Sequence, residues 1–244
     1  SCRRAVLHAL KLGYRHIDTA ALYGNEEDVG RAVRESGIAR GEIFVTTKLW
    51  NSDQGYKSAL KAFDRSLERL GLDYVDLYLI HWPEPGKRAD SWRALMELKQ
   101  QGRARSIGVS NYTIAHLEEL RAHSDVVPAN NQVEFSPFLY QKKLLDYCNA
   151  HAITLTAYCP LTHGDKLSHP AITAIGNRYG KTGAQVLLRW ALQHGVIAIP
   201  KSARPERIAE NAALYDFELA AEDMRALDAL DQGYRTSWDP TRIR

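Results

Sequence analysis

Short apolar runs alternate along the chain with segments of helical periodicity. The runs that predict strands are residues 14–18, 43–48, 75–81, 105–110, 129–134, 153–158 and 196–200. Most are continuously apolar rather than alternating, which is typical of parallel strands covered on both faces. Between two of them, Ala59, Phe63 and Leu67 form one apolar stripe of a helix that Gly71 should end. Strand alternating with helix predicts an α/β protein with a parallel sheet.

The long connection at 159–195 predicts two helices separated at Gly180. Thr182 and Gln185 have the spacing of a capping box, which should begin the second helix. There is no low-complexity linker and no break in composition. We therefore expect one domain over residues 1–244.

The type of parallel sheet is indicated by a missing motif. A doubly wound sheet usually carries G-x-G-x-x-G after an early strand, and this chain has none. A (β/α)8 TIM barrel is therefore favoured. Since only seven strands are predicted and residues 2–12 look helical, a closed barrel would need a strand before Ser1. Our hypothesis is that the first strand is absent from the given chain.

Composition and charge argue against several classes of function. Hydrophobic residues make up 45% of the chain and charged residues 25%, which is typical of a globular protein. A net charge of +3 without a basic block argues against a nucleic-acid partner. No apolar run approaches the roughly 20 residues of a membrane span, and the start, SCRRAVLHAL, does not resemble a signal peptide. Three cysteines without a CxxC pair favour the cytoplasm, and the scattered histidines predict no metal site.

Polar residues stand where three predicted strands end. Asp18 closes YRHID, Lys48 closes IFVTTK and His81 closes YVDLYLIH, while Tyr23 follows in ALYGNE. Neighbouring strand ends of a parallel barrel meet around one mouth, where catalytic groups lie. Each residue alone has an ordinary explanation, such as a turn cap, half-buried packing, a solvated charge or a core histidine. Together they have the composition of a proton-transfer site.

Six motifs in order, DTAALYGNE, TTKLW, LIHWP, GVSN, NQVE and IPKS, closely resemble the aldo-keto reductase family. The resemblance extends from about Val6 to the C-terminal WDP. It implies a (β/α)8 barrel that reduces aldehydes and ketones with NADPH. The glycine-rich G-x-G-T segment of the family's first strand has no counterpart here. The tail and the IHWP context look most like bacterial diketogluconate and methylglyoxal reductases, which implies small polar aldehydes, α-dicarbonyls or keto sugars as substrates and, we expect, a monomer.

The resemblance assigns catalytic roles to the strand-end residues. Hydride arriving at a carbonyl carbon leaves negative charge on oxygen, so an acid must supply a proton. A free phenol, with a pKa near 10, is a reluctant donor, and a nearby ammonium favours the phenolate that it leaves. By resemblance, Tyr23 is the general acid, Lys48 supplies the ammonium and Asp18 holds it. His81 would orient and polarise the carbonyl.

The resemblance also implies a nicotinamide site. Ser110, Asn111 and Gln132 match residues that bind the carboxamide, and Tyr158 matches a ring that stacks on the nicotinamide. On spacing alone, ordinary turn chemistry would be the better explanation of the first three residues, and the match to GVSN and NQVE reverses this. Without the resemblance, Tyr158 would be an ordinary core aromatic.

The segment IPKSARPERIAEN predicts an anion site at a helix start. Cations and a hydroxyl cluster there around Pro205, although a solvated basic helix start is the alternative. Residues matching the family's contacts to the adenosine 2′-phosphate are Lys201, Ser202 and Arg207, with Arg204 as an addition, and those matching its adenine contacts are Glu210 and Asn211. So many cations favour NADP over NAD.

Trp50, Trp82 and Trp238 could line an apolar substrate pocket, as aromatic residues do at these places in the family, or be core and rim residues. Two other functions stay open. The first is a barrel that binds NADPH as a sensor or partner subunit with little turnover. The second is a barrel hydrolase that uses Asp18 and His81, which would leave the phosphate site unexplained.

Overall fold

The structure, a computed structural model, describes residues 1–243. These residues form two compact units. The first comprises residues 1–131 and the residues from Pro240 onward, and the second comprises residues 132–239. This division does not test the expected single domain, which stays a prediction. No helix within residues 1–243 is long and apolar enough to cross a membrane.

The first unit contains four complete parallel strands in chain order. They are β1 (His16–Asp18), β2 (Phe44–Leu49), β3 (Val75–Ile80) and β4 (Ala104–Ser110), and β5 (Asn130–Glu134) begins in this unit. Its helices are α1 (Cys2–Lys11), α2 (Glu26–Glu35), α3 (Tyr56–Leu70), α4 (Arg88–Gln100) and α5 (Ile114–His123). Asp18 pairs with Thr46, and Lys48 pairs with Leu79. The register therefore sets the ends of β1, β2 and β3 beside one another.

Helix α3 follows the predicted pattern. Ala59, Phe63 and Leu67 are buried along one stripe. Gly71 ends the helix with φ 60°, a left-handed conformation in which a glycine has no steric cost. Helix α2 packs closely against the end of α3, because Gly30 offers no side chain at the contact. The expected helix and its stop are confirmed.

The second unit contains the end of β5 together with β6 (Thr154–Tyr158) and β7 (Ile197–Ala198), again in chain order. Strands β6 and β7 are parallel. Its helices are α6 (Lys142–Ala150), α7 (Pro170–Tyr179), α8 (Gly183–Gln193), α9 (Pro205–Ala212) and α10 (Ala221–Asp228). The two helices predicted around Gly180 are α7 and α8. The capping box of Thr182 and Gln185 begins α8 as expected.

All seven predicted strands are present, most within a residue or two of the expected bounds. The largest difference is β7, which covers two residues where five were expected. Pro200 has no backbone N–H, so the ladder cannot extend through it. The strand proposed before Ser1 stays a prediction.

Candidate active site

A fully buried lysine lies at the centre of the site. Lys48 is the fifth residue of β2 and its side chain has no solvent exposure. Its Nζ donates to Asp18 Oδ1, at the end of β1, over 2.5 Å, and to the Thr19 carbonyl oxygen over 2.9 Å. A buried ammonium is costly without such partners. The two contacts fix the ammonium between the ends of β1 and β2.

Tyr23 lies beside that ammonium on the loop after β1. The loop makes a short 3-10 turn at Ala21–Tyr23, and Gly24 ends the turn with φ 61°. Lys48 Nζ lies 5.0 Å from the centroid of the Tyr23 ring, within the range of a cation–π contact. The Tyr23 side chain is about half exposed, so a small molecule can reach it.

His81 follows β3 and completes the cluster. Its backbone N–H donates to the Leu49 carbonyl oxygen over 3.1 Å. Its ring lies edge-on to Tyr23, with 5.8 Å between the ring centroids. Burial, together with the positive charge of Lys48, lowers the pKa of His81 to about 3. The imidazole is therefore neutral at physiological pH, with one N–H to donate.

The structure thus brings Asp18, Tyr23, Lys48 and His81 together within the first unit. Their spatial proximity agrees with the positions expected from the strand ends, while their catalytic roles stay predictions. A half-exposed phenol beside a buried ammonium and a neutral imidazole can donate a proton or a hydrogen bond to a ligand oxygen.

Other predicted residues of the first unit surround His81. The Trp50 ring lies edge-on to the imidazole at 5.2 Å. Trp82 is almost fully buried, and Gln54 donates to its carbonyl oxygen over 2.6 Å. Asn111 Nδ2 donates to the His81 carbonyl oxygen over 2.9 Å.

Ser110 and Asn111 lie at the end of β4, and both are buried. Asn111 has φ 64°, an uncommon left-handed conformation for a residue other than glycine. Its side-chain amide also donates to Ser110 Oγ over 3.2 Å.

In the second unit, Gln132 is buried in β5 and Tyr158 ends β6. Burial raises the pKa of Tyr158, against a smaller opposite effect of its hydrogen bond with Ser237. A raised pKa makes its phenol a weaker proton donor, which suits a stacking ring rather than an acid.

The predicted phosphate residues lie at the start of α9. Arg204 precedes the helix and Pro205 is its first residue, and the Arg204 side chain makes no capping hydrogen bond to the first turn. The Arg204 backbone N–H donates to Ser202 Oγ over 3.1 Å. Lys201, Arg204 and Arg207 are exposed. Cations beside a helix N-terminus form a place where an anion is stabilised.

The two adenine candidates on α9 differ in their surroundings. Glu210 Oε1 accepts a hydrogen bond from Thr182 Oγ1 over 2.5 Å. Asn211 is buried. Neither position contradicts the expected role.

The last predicted residue, Trp238, is 66% exposed. The backbone before it is held by Glu134, whose Oε1 accepts hydrogen bonds from the Thr236 N–H and Oγ1, both over 2.6 Å. No group of three or more His, Cys, Asp or Glu residues within 1–243 is arranged to hold a metal ion.

Sequence reasoning missed the residues that support the cluster. The Thr19 carbonyl oxygen accepts a hydrogen bond from Lys48 Nζ. Thr47, the residue before Lys48, donates a buried hydrogen bond to Glu26. Glu26 follows the loop directly in ALYGNE, and a glutamate there is an ordinary first-turn residue of a helix. Its burial was the missing signal, and burial depends on tertiary packing.

Parallel strands followed by helices, with acid–base groups at the strand ends, define a class of barrel enzyme. The aldo/keto reductase family model matches residues 1–232. A Bacillus subtilis glyoxal reductase is 53% identical over 239 residues, which cover 98% of this chain and 87% of the relative. The chain belongs to the aldo/keto reductase family.

Solved structures agree with this assignment. An aldo/keto reductase from Brucella melitensis is 52% identical with a TM-score of 0.92, over 94% of this chain and 90% of that one. A Bombyx mori aldo-keto reductase in complex with NADP is 39% identical with a TM-score of 0.90, over 96% of this chain and 83% of that one. The expected α/β fold of the (β/α)8 class and the expected oxidoreductase class are confirmed.

Proposed function

We propose that this protein reduces small polar aldehydes, α-dicarbonyls or keto sugars to alcohols, with NADPH as the hydride source and Tyr23 as the acid. The observation that carries the proposal is the buried Lys48 ammonium, which is fixed by Asp18 and lies 5.0 Å from the ring of a half-exposed Tyr23. This arrangement is suited to stabilising a phenolate while a ligand oxygen takes the proton.

NADP(H) is the cofactor of this family member, and the second unit has residues that fit it. Lys201, Arg204 and Arg207 are exposed cations around the N-terminus of α9. Their charge suits the 2′-phosphate that distinguishes NADPH from NADH. In the first unit, the buried amide of Asn111 fits a hydrogen-bonding role toward the carboxamide. When bound, the cofactor supplies the hydride.

The proton moves from Tyr23 Oη to the carbonyl oxygen as negative charge develops there. Lys48 stabilises the phenolate that remains, because an opposite charge nearby favours the ionised form. Asp18 keeps the ammonium in place through the 2.5 Å hydrogen bond. The bond lost is Tyr23 O–H and the bond gained is the substrate O–H.

His81 serves the same oxygen in a different way. With its pKa lowered to about 3, it carries no proton to give as an imidazolium at neutral pH. Its neutral ring can donate one N–H hydrogen bond that orients the carbonyl. The acid is therefore assigned to Tyr23.

The preference for small substrates is supported by the residues around the cluster. The Trp50 ring stands beside His81 and limits the space next to the reacting carbonyl. A relative that is 53% identical is named a glyoxal reductase, and glyoxal is a small α-dicarbonyl. We extend the proposed substrates to related small aldehydes and keto sugars.

The test combines a substrate panel with one substitution. Loss of NADPH absorbance is followed with glyoxal, methylglyoxal and a keto sugar. Tyr23→Phe removes only the hydroxyl, so we expect kcat to fall by about 10²-fold or more because the proton donor is lost, while NADPH still quenches protein fluorescence. Tyr215→Phe, which changes an 82% exposed tyrosine, is the matched control and should keep full activity.

Two results would contradict the proposal. Full activity of Tyr23→Phe would show that another group is the acid. Tight NADPH binding by the unmodified protein without reduction of any carbonyl would favour the sensor or partner-subunit function instead.

We also propose a cytoplasmic monomer. None of the three cysteines forms a disulfide, which suits a reducing compartment. Light scattering after size-exclusion chromatography tests the monomer, and fractionation of the source cells tests the location.

A further inference from the structure

The loop that carries Tyr23 is tied to β2 at both of its ends. At its start, the Thr19 carbonyl oxygen accepts from Lys48 Nζ over 2.9 Å. At its end, Glu26, the first residue of α2, accepts from Thr47 Oγ1 over 2.6 Å. Thr47 and Lys48 are consecutive residues of one strand, so both ties converge on the same segment of β2.

The loop is also closed on itself. Thr19 Oγ1 donates to Asn25 Oδ1 over 2.6 Å, which joins the residue after β1 to the residue before α2. Gly24 makes the left-handed turn between them. The two ends of the loop are therefore joined to each other as well as to β2, and Tyr23 lies between them.

The burial of Glu26 is more than a helix start requires. Its side chain is 1% exposed, and its second oxygen, Oε2, accepts from Arg69 Nε over 2.7 Å. A negative charge in the first turn of a helix is favourable, but Glu27 supplies one there at 66% exposure. Arg69 is itself 36% exposed, and an ion pair of this kind contributes little net stability, so stability alone does not account for the burial of Glu26.

Strand geometry places the two ties on opposite faces of β2. Successive side chains of a strand point to opposite sides, so Thr47 points away from the side that Lys48 faces. Asp18 holds Lys48 on one face, and Glu26 holds Thr47 on the other. The position of the lysine is thus fixed from both sides.

We propose that Glu26 is a positioning residue, which acts through Thr47 to set the distance between Tyr23 and Lys48 and so the rate of proton transfer. It touches neither the substrate nor the cofactor. The inference rests on the proposed function of Tyr23 as the acid.

The test uses two substitutions at one site. Thr47→Val is nearly isosteric and removes only the hydroxyl, whereas Thr47→Ser keeps it. We expect Thr47→Val to lower kcat by about tenfold or more, since small misplacements of catalytic groups are costly. The KM for the carbonyl and the Kd for NADPH should change by less than about threefold, and the pH dependence of kcat should shift, because the phenol and the ammonium set it. Thr47→Ser should restore most of the rate.

A second pair keeps the test independent of any folding defect in Thr47→Val. Glu26→Gln should lower kcat and shift the same pH profile, and Glu27→Gln, the exposed neighbour on the same helix, should not. Thermal unfolding of each variant reports whether it is folded. A wild-type kcat and pH profile in folded Thr47→Val and Glu26→Gln would overturn the inference, as would equal losses in Glu26→Gln and Glu27→Gln.

The proposed function has a separate readout in the same series. Activity retained by Tyr23→Phe, or no carbonyl reduction by the unmodified protein, contradicts the acid assignment itself. If kcat falls in Tyr23→Phe and is unchanged in the Thr47 and Glu26 variants, only the positioning role is contradicted.

Discussion

The protonation state of single residues decides how the cluster can work. His81 and Tyr23 lie edge-on to each other, with 5.8 Å between the ring centroids, and the His81 ring carries no imidazolium proton at neutral pH. Burial and the Lys48 charge keep the imidazole neutral down to a pKa of about 3. The same physical cause has a consequence for stability, which can be measured without any substrate.

We expect the free energy of unfolding to fall as the pH drops below about 6.5. In the unfolded chain His81 takes up a proton near that pH, while in the folded protein it stays neutral down to about pH 3. Because the unfolded state then binds more protons, acid favours it, by up to about 1.4 kcal/mol per pH unit. Urea unfolding at pH 7, 6 and 5 measures this slope.

His81→Gln isolates the contribution of this residue, since burial also lowers the pKa values of His16 and His116 and they contribute in the same direction. The variant should lose less stability between pH 6.5 and 5 than the unmodified protein. His123→Gln, an exposed position, should leave the slope unchanged. Identical slopes for all three proteins would mean that His81 is not held neutral by the fold.

The candidate residues were predictable as a set, and the residues that support them were not. Asp18, Lys48 and His81 were found because polar residues rarely end buried strands. Thr47 and Glu26 gave no such signal. A threonine in a strand and a glutamate in the first turn of a helix are ordinary, and only packing of α2 against β2 buries their contact.

At the level of elements, the positions of the helices depend on close contacts that only glycine allows. A Cβ atom at Gly30 in α2 would lie 1.7 Å from the Leu70 carbonyl oxygen at the end of α3. That oxygen belongs to backbone and cannot rotate away. The loop carrying Tyr23 leads directly into α2, so this contact bears on the site as well as on stability.

We expect Gly30→Ala to destabilise the protein by about 1–3 kcal/mol, because the two helices must move apart to admit the methyl group. In a helix the same change would otherwise be favourable by about 1 kcal/mol. Gly41→Ala is the control, since a Cβ there meets nothing within 4 Å. The stability of both variants is measured from the midpoints of denaturant unfolding. A Gly30→Ala midpoint equal to or above that of the unmodified protein would contradict the close packing of α2 on α3.

Element boundaries show where sequence patterns lose their accuracy. The stop at Gly71 and the two helices around Gly180 were predicted because glycine and capping residues act locally. Strand β7 was predicted too long because its apolar run continues to Pro200, whereas strand length depends on which backbone N–H groups find a partner. Helix ends that depend on neighbouring residues can be predicted from sequence. Strand lengths that depend on pairing between distant segments are predicted less accurately.

For the whole molecule, the alternation of strand and helix was enough to predict the class of fold. The order of the six motifs was enough to predict the family. The substrate is less determined, because the space beside His81 depends on where the Trp50 side chain lies rather than on any motif. The cofactor is predicted better than the substrate and less directly than the fold. The sequence shows the cations at the start of α9, and only the fold shows that they are exposed.

Binding of NADPH should therefore stabilise the whole protein, because a ligand that binds only the folded state shifts the unfolding equilibrium. At a free concentration of about 100 times Kd the gain is about 2.7 kcal/mol, which for a chain of this size raises the melting temperature by about 5–10 °C. If Arg207 binds the 2′-phosphate as proposed, Arg207→Ala should weaken NADPH binding by about tenfold, because a charged hydrogen-bond partner is lost. The shift at a fixed NADPH concentration should then be smaller. The shift with NADH should not change, because NADH lacks that phosphate.

Arg225→Ala, which removes an exposed arginine from α10, controls for the loss of net charge. If Arg207→Ala reduced the NADH and NADPH shifts equally, the arginine would act on the folded protein in general, and the phosphate site at α9 would have to be reassigned.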